Sequence, residues 1–323
     1  MIQTLRRSSS PLPLLAIIVA VLTPWDAAAW DQWEQVVGDE SGGGNGFGTE
    51  ANLGISSMVI HQGALLVGAG NFVDGAGIWS SEDGLAWDPV MFGGFGDIDN
   101  FAILALTVYE DRVWASTANL STGCQIWSSA DLSTWYPEAL NGFGDPGNTH
   151  AYGLAEFGGF LLTATSNNPE GLQVWRYSSA SGWERVAENG FGNSNNVGGG
   201  SVSVFGEELY VGTSNFTEGA EVWKSADRSA WSQVLSGGLG VAELTRVTFF
   251  QEFSGALFAG ASTDESSVGG SVWSSTEGSI WHVQASGGFG DPLNTYLDDA
   301  ANDEANLFVG ASKFYTIAGG LET

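Results

Sequence analysis

The sequence predicts an all-β fold: a six-bladed β-propeller of four-stranded antiparallel blades. Three observations carry the prediction. Tryptophans pair eight residues apart as Trp79/Trp87, Trp127/Trp135, Trp175/Trp183, Trp223/Trp231 and Trp273/Trp281, and successive pairs step by 48, 48, 48 and 50 residues. A glycine loop keeps the same beat, with Phe47, Phe95, Phe143, Phe191, Leu239 and Phe289 at its centre. Between loops, short runs of alternating apolar, β-branched and aromatic residues are broken by Gly, Asn, Asp and Ser, the pattern of strands and tight turns. Four-stranded repeats of 40–50 residues are the mark of blades that pack radially on one another.

Within a unit, "FAILALTVY" (101–109) reads as the inner strand a and "RVWAST" (112–117) as b. "QIWSS" (125–129) follows as c and "TWYPEA" (134–139) as the outer strand d. Repeats lie near 45–92, 93–140, 141–188, 189–236, 237–286 and 287–323, the last lacking its outer strand. The stretch 30–37 supplies a d-like strand, with Trp33 in the register of Trp87, so the N-terminal strand d joins the C-terminal strands a–c. That closure removes the exposed sheet edges that invite aggregation. A large aromatic at a fixed strand position in every unit fills the wedge between adjacent sheets, so the tryptophans read as core.

Residues 1–29 read as a Sec-type signal peptide. Arg6 and Arg7 precede the apolar run Leu14 to Leu22, and Ala27-Ala28-Ala29 offers small residues for cleavage near Ala29. The expectation is a secreted or periplasmic protein with a single propeller domain over 30–323 and no stable membrane insertion after cleavage. The lone Cys124 excludes an internal disulfide and reads as a small buried residue. A net charge of −28 excludes nucleic acid as a partner, since phosphates would be repelled. The same charge disfavours anionic membranes and keeps the chain soluble.

The c–d turns read SSEDGLAW (80–87), SSADLSTW (128–135) and SSTEGSIW (274–281). They resemble the Asp-box, S-x-D-x-G-x-T-W, of the bacterial neuraminidase repeats found in sialidases and other propellers. Ser80, Gly84 and Trp87 match, with Glu82 at the Asp position; Ser128, Thr134 and Trp135 match, with Asp131 one place late. In the third turn Ser274, Gly278 and Trp281 match. The resemblance implies a fold-stabilising hairpin on the face away from any active site. The longer pattern, as in "LYVGTSNFTEGAEVWKSAD" (209–227), is similar to secreted bacterial propellers.

A sialidase would need three arginines for the substrate carboxylate, with a tyrosine nucleophile and an acidic partner. Of the arginines, only Arg246 falls near the start of an inner strand. His150 is the one histidine in a d–a loop, and no G-x-S-x-G, H-E-x-x-H or P-loop is present.

What recurs is polarity on one face, where d–a and b–c loops emerge together. Asn52, Asn100, Asn148, Asn196 and Asn294 recur in the d–a loop, and Asn71, Asn119, Asn167 and Asn215 after strand b. Asp97, Asp145 and Asp291 follow the glycine loop, with Asn193 in their place in a fourth unit. Such residues cap turns through their own backbone. They also suit a ring of ligand sites for glycan hydroxyls, or for Ca²⁺ at the three aspartates, although no cofactor is required. Unit five departs from the rule with Gly240-Val241 and Leu244, and its inner strand carries Arg246. The next inner strand holds Asp298 and Asp299, so Arg246, Asp298 and Asp299 form the asymmetric candidate site. The reading is a non-enzymatic module binding a glycan, protein or cation. The alternative is a glycoside hydrolase or lyase at the propeller mouth.

Overall fold

A computed structural model describes Val37 and residues 45–264, 267–303 and 305–313. The expected signal segment 1–29, Trp33 and the residues after Lys313 lie outside the described residues. Unit one is a four-stranded sheet of β1 (Asn52–His61), β2 (Ala64–Asn71), β3 (Gly77–Ser81) and β4 (Asp88–Met91), paired antiparallel in that order. Unit two repeats it with β5 (Ala102–Tyr109), β6 (Arg112–Ala118), β7 (Ile126–Ser129) and β8 (Tyr136–Ala139). Unit three holds β9 (Asn148–Phe157), β10 (Phe160–Asn167), β11 (Val174–Ser178) and β12 (Gly182–Ala187). Unit four holds β13 (Gly198–Phe205), β14 (Glu208–Ser214), β15 (Val222–Ser225) and β16 (Ser232–Leu235). Unit five holds β17 (Arg246–Phe253), β18 (Ala256–Ser262), β19 (Ser271–Ser275) and β20 (His282–Ala285). The hairpin β21 (Asn294–Asn302) and β22 (Leu307–Lys313) follows them.

The inner strands β1, β5, β9, β13, β17 and β21 pack side by side in chain order, which makes the fold all-β and propeller-like. Second strands are sealed on both faces by neighbouring units. Leu66 and Val67, Val113 and Trp114, Leu161 and Leu162, and Leu209 to Val211 are accordingly buried in consecutive runs. β1 has no such neighbour on its outer side among the described residues. Met58 is 53% exposed, whereas Leu106, one repeat later, is 8% exposed.

Five of the six inner strands carry a bulge at one register position, between Ile55 and Ser57, Ile103 and Ala105, Gly199 and Ser201, Val247 and Phe249, and Leu297 and Asp299, whereas β9 shifts register later, between Tyr152 and Ala155. The extra residue turns its side chain to the next unit. Ser56 donates to the Ile103 carbonyl, and Thr248 donates to the Leu297 carbonyl at 2.5 Å. In unit four the residue is Gly200, because a Cβ there would stand 2.0 Å from the Val247 carbonyl oxygen.

The c–d hairpin is capped by an aspartate one place later than the Asp-box alignment suggests. Asp83, not Glu82, accepts the backbone N–H groups of Leu85 and Ala86, and Asp131 and Asp227 repeat the contact. These backbone donors hold the three carboxyls below the usual range, Asp227 at about 2.

Candidate ligand site at the loop face

The glycine loops are single helical turns that lead into strand a of each unit, and those after β4, β8, β12, β16 and β20 connect it to strand d of the unit before. Their central residue takes a left-handed backbone each time: Phe47 φ 59°, Phe95 61°, Phe143 62°, Phe191 60°, Leu239 63° and Phe289 59°. That conformation costs a bulky L-residue about 1–2 kcal/mol. Aromatic packing offsets the cost. Phe143 stacks on Trp175 at 4.6 Å and meets Trp183 edge-on at 5.2 Å; Phe95 repeats this on Trp127 and Trp135, and Phe47 on Trp79 and Trp87.

The loop also grips both units it joins. Gly142 N–H donates to the Cys124 carbonyl and Cys124 N–H donates to Asn148, which ties the loop to the unit before it. The Asn148 side chain then reaches the unit after it. Its Nδ2 donates to the Gly142 carbonyl and Gln173 Oε1, and its Oδ1 accepts from Thr165 and Asn167. Asn100 repeats the set with Gly94, Gln125, Thr117 and Asn119. Gly123, at φ 92°, passes so close to the crossover that a Cβ would lie 2.7 Å from Gly142 N.

Asn100, Asn148 and Asn196 are completely buried in these clasps, so their carboxamides serve the joint between units. Asn52 makes the same bonds to Gly46 and Asn71 with partial exposure, and Asn294 keeps the bond to Gly288. Asp97 and Asp145 complete the clasp, accepting from Asn119 and Gln125, and from Asn167 and Gln173. Unit four makes the joint with the roles exchanged. Asn193 replaces the aspartate and donates to Glu218, while Glu221 replaces the glutamine and accepts from Asn196 and Trp223. Asp291 instead pairs with Lys313 at 2.6 Å, and that bond lowers its pKa. Among the described residues no three His, Cys, Asp or Glu side chains converge as a metal ion would require.

Variation is concentrated two residues beyond the clasp position, at Gly54, Ala102, His150, Gly198, Arg246 and Tyr296. Three of these are large and polar. The Arg246 guanidinium lies over the rings of Phe216 (4.5 Å) and Tyr296 (5.2 Å), and its Nη1 donates to Asp264 at 2.8 Å. The Tyr296 hydroxyl stands 3.5 Å from the same carboxylate oxygen. The His150 ring is parallel to Tyr152 at 5.4 Å and contacts Phe101 edge-on, which in turn stacks on Phe72. Tyr152 lies within electrostatic reach of both Arg246 and Tyr296, which gathers residues of units three, five and six. Burial raises the Tyr152 hydroxyl and pushes Tyr296 to about 12, so both stay protonated at neutral pH. Burial also lowers His150 to about 4, leaving its imidazole neutral.

The grouping of Arg246 with Asp298 and Asp299 takes a different form from the one the sequence suggests. Arg246 is paired with Asp264 of the b–c loop, while Asp298 accepts from Ser312 and Asp299 from Ala300 N–H. Burial raises both carboxyls. The sequence reading overlooked Phe72, Phe216 and Asp264. Each follows strand b in a loop whose Asn is nearly constant while the next residue changes, as Phe72, Leu120, Asn168, Phe216 and Asp264, and that contrast was the available signal. Phe72 and Phe216 are more than half exposed, and Leu120, Ile98 and Leu293 are exposed near them in sequence register.

No protein-family model matches the chain, and no curated protein matches it. Among solved structures it is similar to the SapL1 lectin in complex with α-methyl fucoside, at 14% identity and a TM-score of 0.50, covering 72% of this chain and 79% of the lectin. It is also similar to an α-L-arabinofuranosidase from Clostridium thermocellum, at 10% identity and a TM-score of 0.44 over 72% of this chain and 94% of that one. The GH43 endo-arabinanase from Bacillus licheniformis matches at 12% identity and a TM-score of 0.39 over 64% of this chain and 88% of the enzyme. The lectin likeness extends to the fold alone.

Proposed function

We propose that the chain is a secreted, six-bladed β-propeller that binds a glycan without chemical turnover, at the face where its d–a and b–c loops meet. The observation that carries the reading is the Phe216–Arg246–Tyr296 group with Asp264 bonded to its guanidinium and the Phe216 ring more than half exposed. Aromatic side chains beside a few fixed polar groups are the usual lining of a small-ligand site. A fold held in common with a fucoside-bound lectin is consonant with it.

Closure of the ring is supported by Val37. It is buried against Phe47, Leu65 and Trp87. Met91, the end of strand d in unit one, joins the cluster of their repeat equivalents Phe95, Val113 and Trp135. That equivalence supports reading Val37 as the end of a strand d of a sixth blade.

A glycan array and titration calorimetry, with and without Ca²⁺, test the reading on wild type and Arg246→Gln. Saturable binding that weakens at least about tenfold in the variant is expected. A blank array in both conditions overturns it in favour of a protein partner. The hydrolase reading draws on the raised carboxyls of Asp298 and Asp299. It requires turnover of aryl glycosides that is lost in Asp298→Asn or Asp299→Asn.

A further inference from the structure

We infer that the sugar taken at this mouth is uncharged, that it is read through two adjacent hydroxyls by the Arg246–Asp264 pair, and that carboxylate-bearing sugars are turned away. The inference rests on the glycan reading above and adds the class of ligand.

Arg246 is the cation an acidic sugar would seek, but it is already matched. Its Nη1 donates to Asp264 at 2.8 Å, and its guanidinium carbon lies 4.5 Å from the ring centre of Phe216 and 5.2 Å from that of Tyr296. A carboxylate that bonds the remaining N–H groups of this guanidinium would sit beside the Asp264 carboxylate. Attraction to one group and repulsion from the other are then of similar size. The surroundings add to the repulsion. Asp298 and Asp299 follow Tyr296 on β21, and the chain carries a net charge of −28.

A hydroxyl meets no such conflict, because it accepts and donates at once. One hydroxyl can accept from an Arg246 N–H while its neighbour donates to Asp264, and both bonds are charge-assisted. The exposed ring of Phe216 lies against the same guanidinium, offering its electron-rich face to the C–H groups of a sugar. An ammonium-bearing sugar would meet the Arg246 charge at the same pair.

Calorimetry with matched methyl hexosides, the corresponding hexuronic acids and the corresponding 2-amino sugars tests the class directly. Wild type is expected to bind a neutral hexoside at least about tenfold more tightly than its uronic acid or amino counterpart. Asp264→Asn frees the guanidinium from its carboxylate. In that variant the uronic acid should tighten about tenfold, the hexoside should weaken, and the gain should fade in high salt. Equal or tighter binding of the uronic acid or amino sugar by wild type overturns the inference while leaving glycan binding intact. An unchanged preference in a folded Asp264→Asn protein also overturns it. If that variant does not fold, the wild-type ratios alone decide. Absence of binding in every arm sinks the glycan reading itself.

Discussion

The ring of Phe95 lies parallel to the indole of Trp127, 4.8 Å between centroids and 3° between planes, on a backbone that reaches it only through a φ of 61°. The loop holds a bulky side chain in a left-handed conformation because the following unit offers a slot between two tryptophans. Phe95→Ala keeps the backbone cost and removes the filling. Denaturant unfolding should show a loss of about 3–5 kcal/mol. Phe95→Leu, which reproduces unit five at Leu239, should lose clearly less.

The clasp predicts a sharp difference between polar substitutions. Asn148→Ala strips partners from the Gly142 carbonyl, Gln173, Thr165 and Asn167 inside a buried joint. Unsatisfied buried groups cost about 1–3 kcal/mol, so a fall of that order or more is expected in urea unfolding. Asn148→Asp should be at least as damaging, since a carboxylate cannot donate to Gly142 or Gln173.

His150 predicts a pH dependence. Its folded pKa of about 4 lies below the ordinary 6.5, because burial disfavours the charged ring. Between those values the unfolded chain binds a proton that the folded chain refuses. Stability should therefore fall as pH drops from about 6.5 to about 4. His150→Phe keeps an aromatic ring against Tyr152 and should flatten that part of the profile. An imidazole resonance, assigned by its loss in the variant, that titrates near 6.5 would count against the assignment.

Asp298 occupies the bulge position at which Ser56 and Thr248 donate hydroxyls to the following unit. An ionised carboxylate has no proton to give. If the ring closes as proposed, the next carbonyl in line is that of Ile55. Asp298→Thr should then gain about 0.5–1.5 kcal/mol, the net worth of one hydrogen bond, read as a higher melting temperature at neutral pH. A melting temperature at or below wild type would argue against a seam of the same form.

The blades were legible because packing repeats residue by residue. The slot between two tryptophans must be filled in each unit, so Phe and Trp recur at fixed spacing. The clasp was only half legible. Its asparagines stand out as letters, but Asp97–Gln125 and Asn193–Glu221 solve one joint with exchanged chemistry, and a search for recurring residues sees a lapse there. The partner of Arg246 was hidden for another reason. Asp264 lies 18 residues away in a loop beyond strand b, and only the folded antiparallel pair β17–β18 brings the two ends together. The one-place offset between Glu82 and Asp83 likewise becomes visible only from which carboxylate receives the backbone donors.

The crossover that holds the unit before it by backbone and the unit after it by side chain sets where this chain can be cut. A nick at the Gly206–Glu207 turn, between β13 and β14, leaves every clasp whole, and the two fragments can reassemble by interlocking. A nick between Gly142 and Asn148 cuts the fastening of two neighbours, leaving the packing of β5 and β6 against β9 to hold the halves together. Tolerance of chain breaks thus belongs to one face of the molecule, and the face that carries the clasps is the one that must stay continuous.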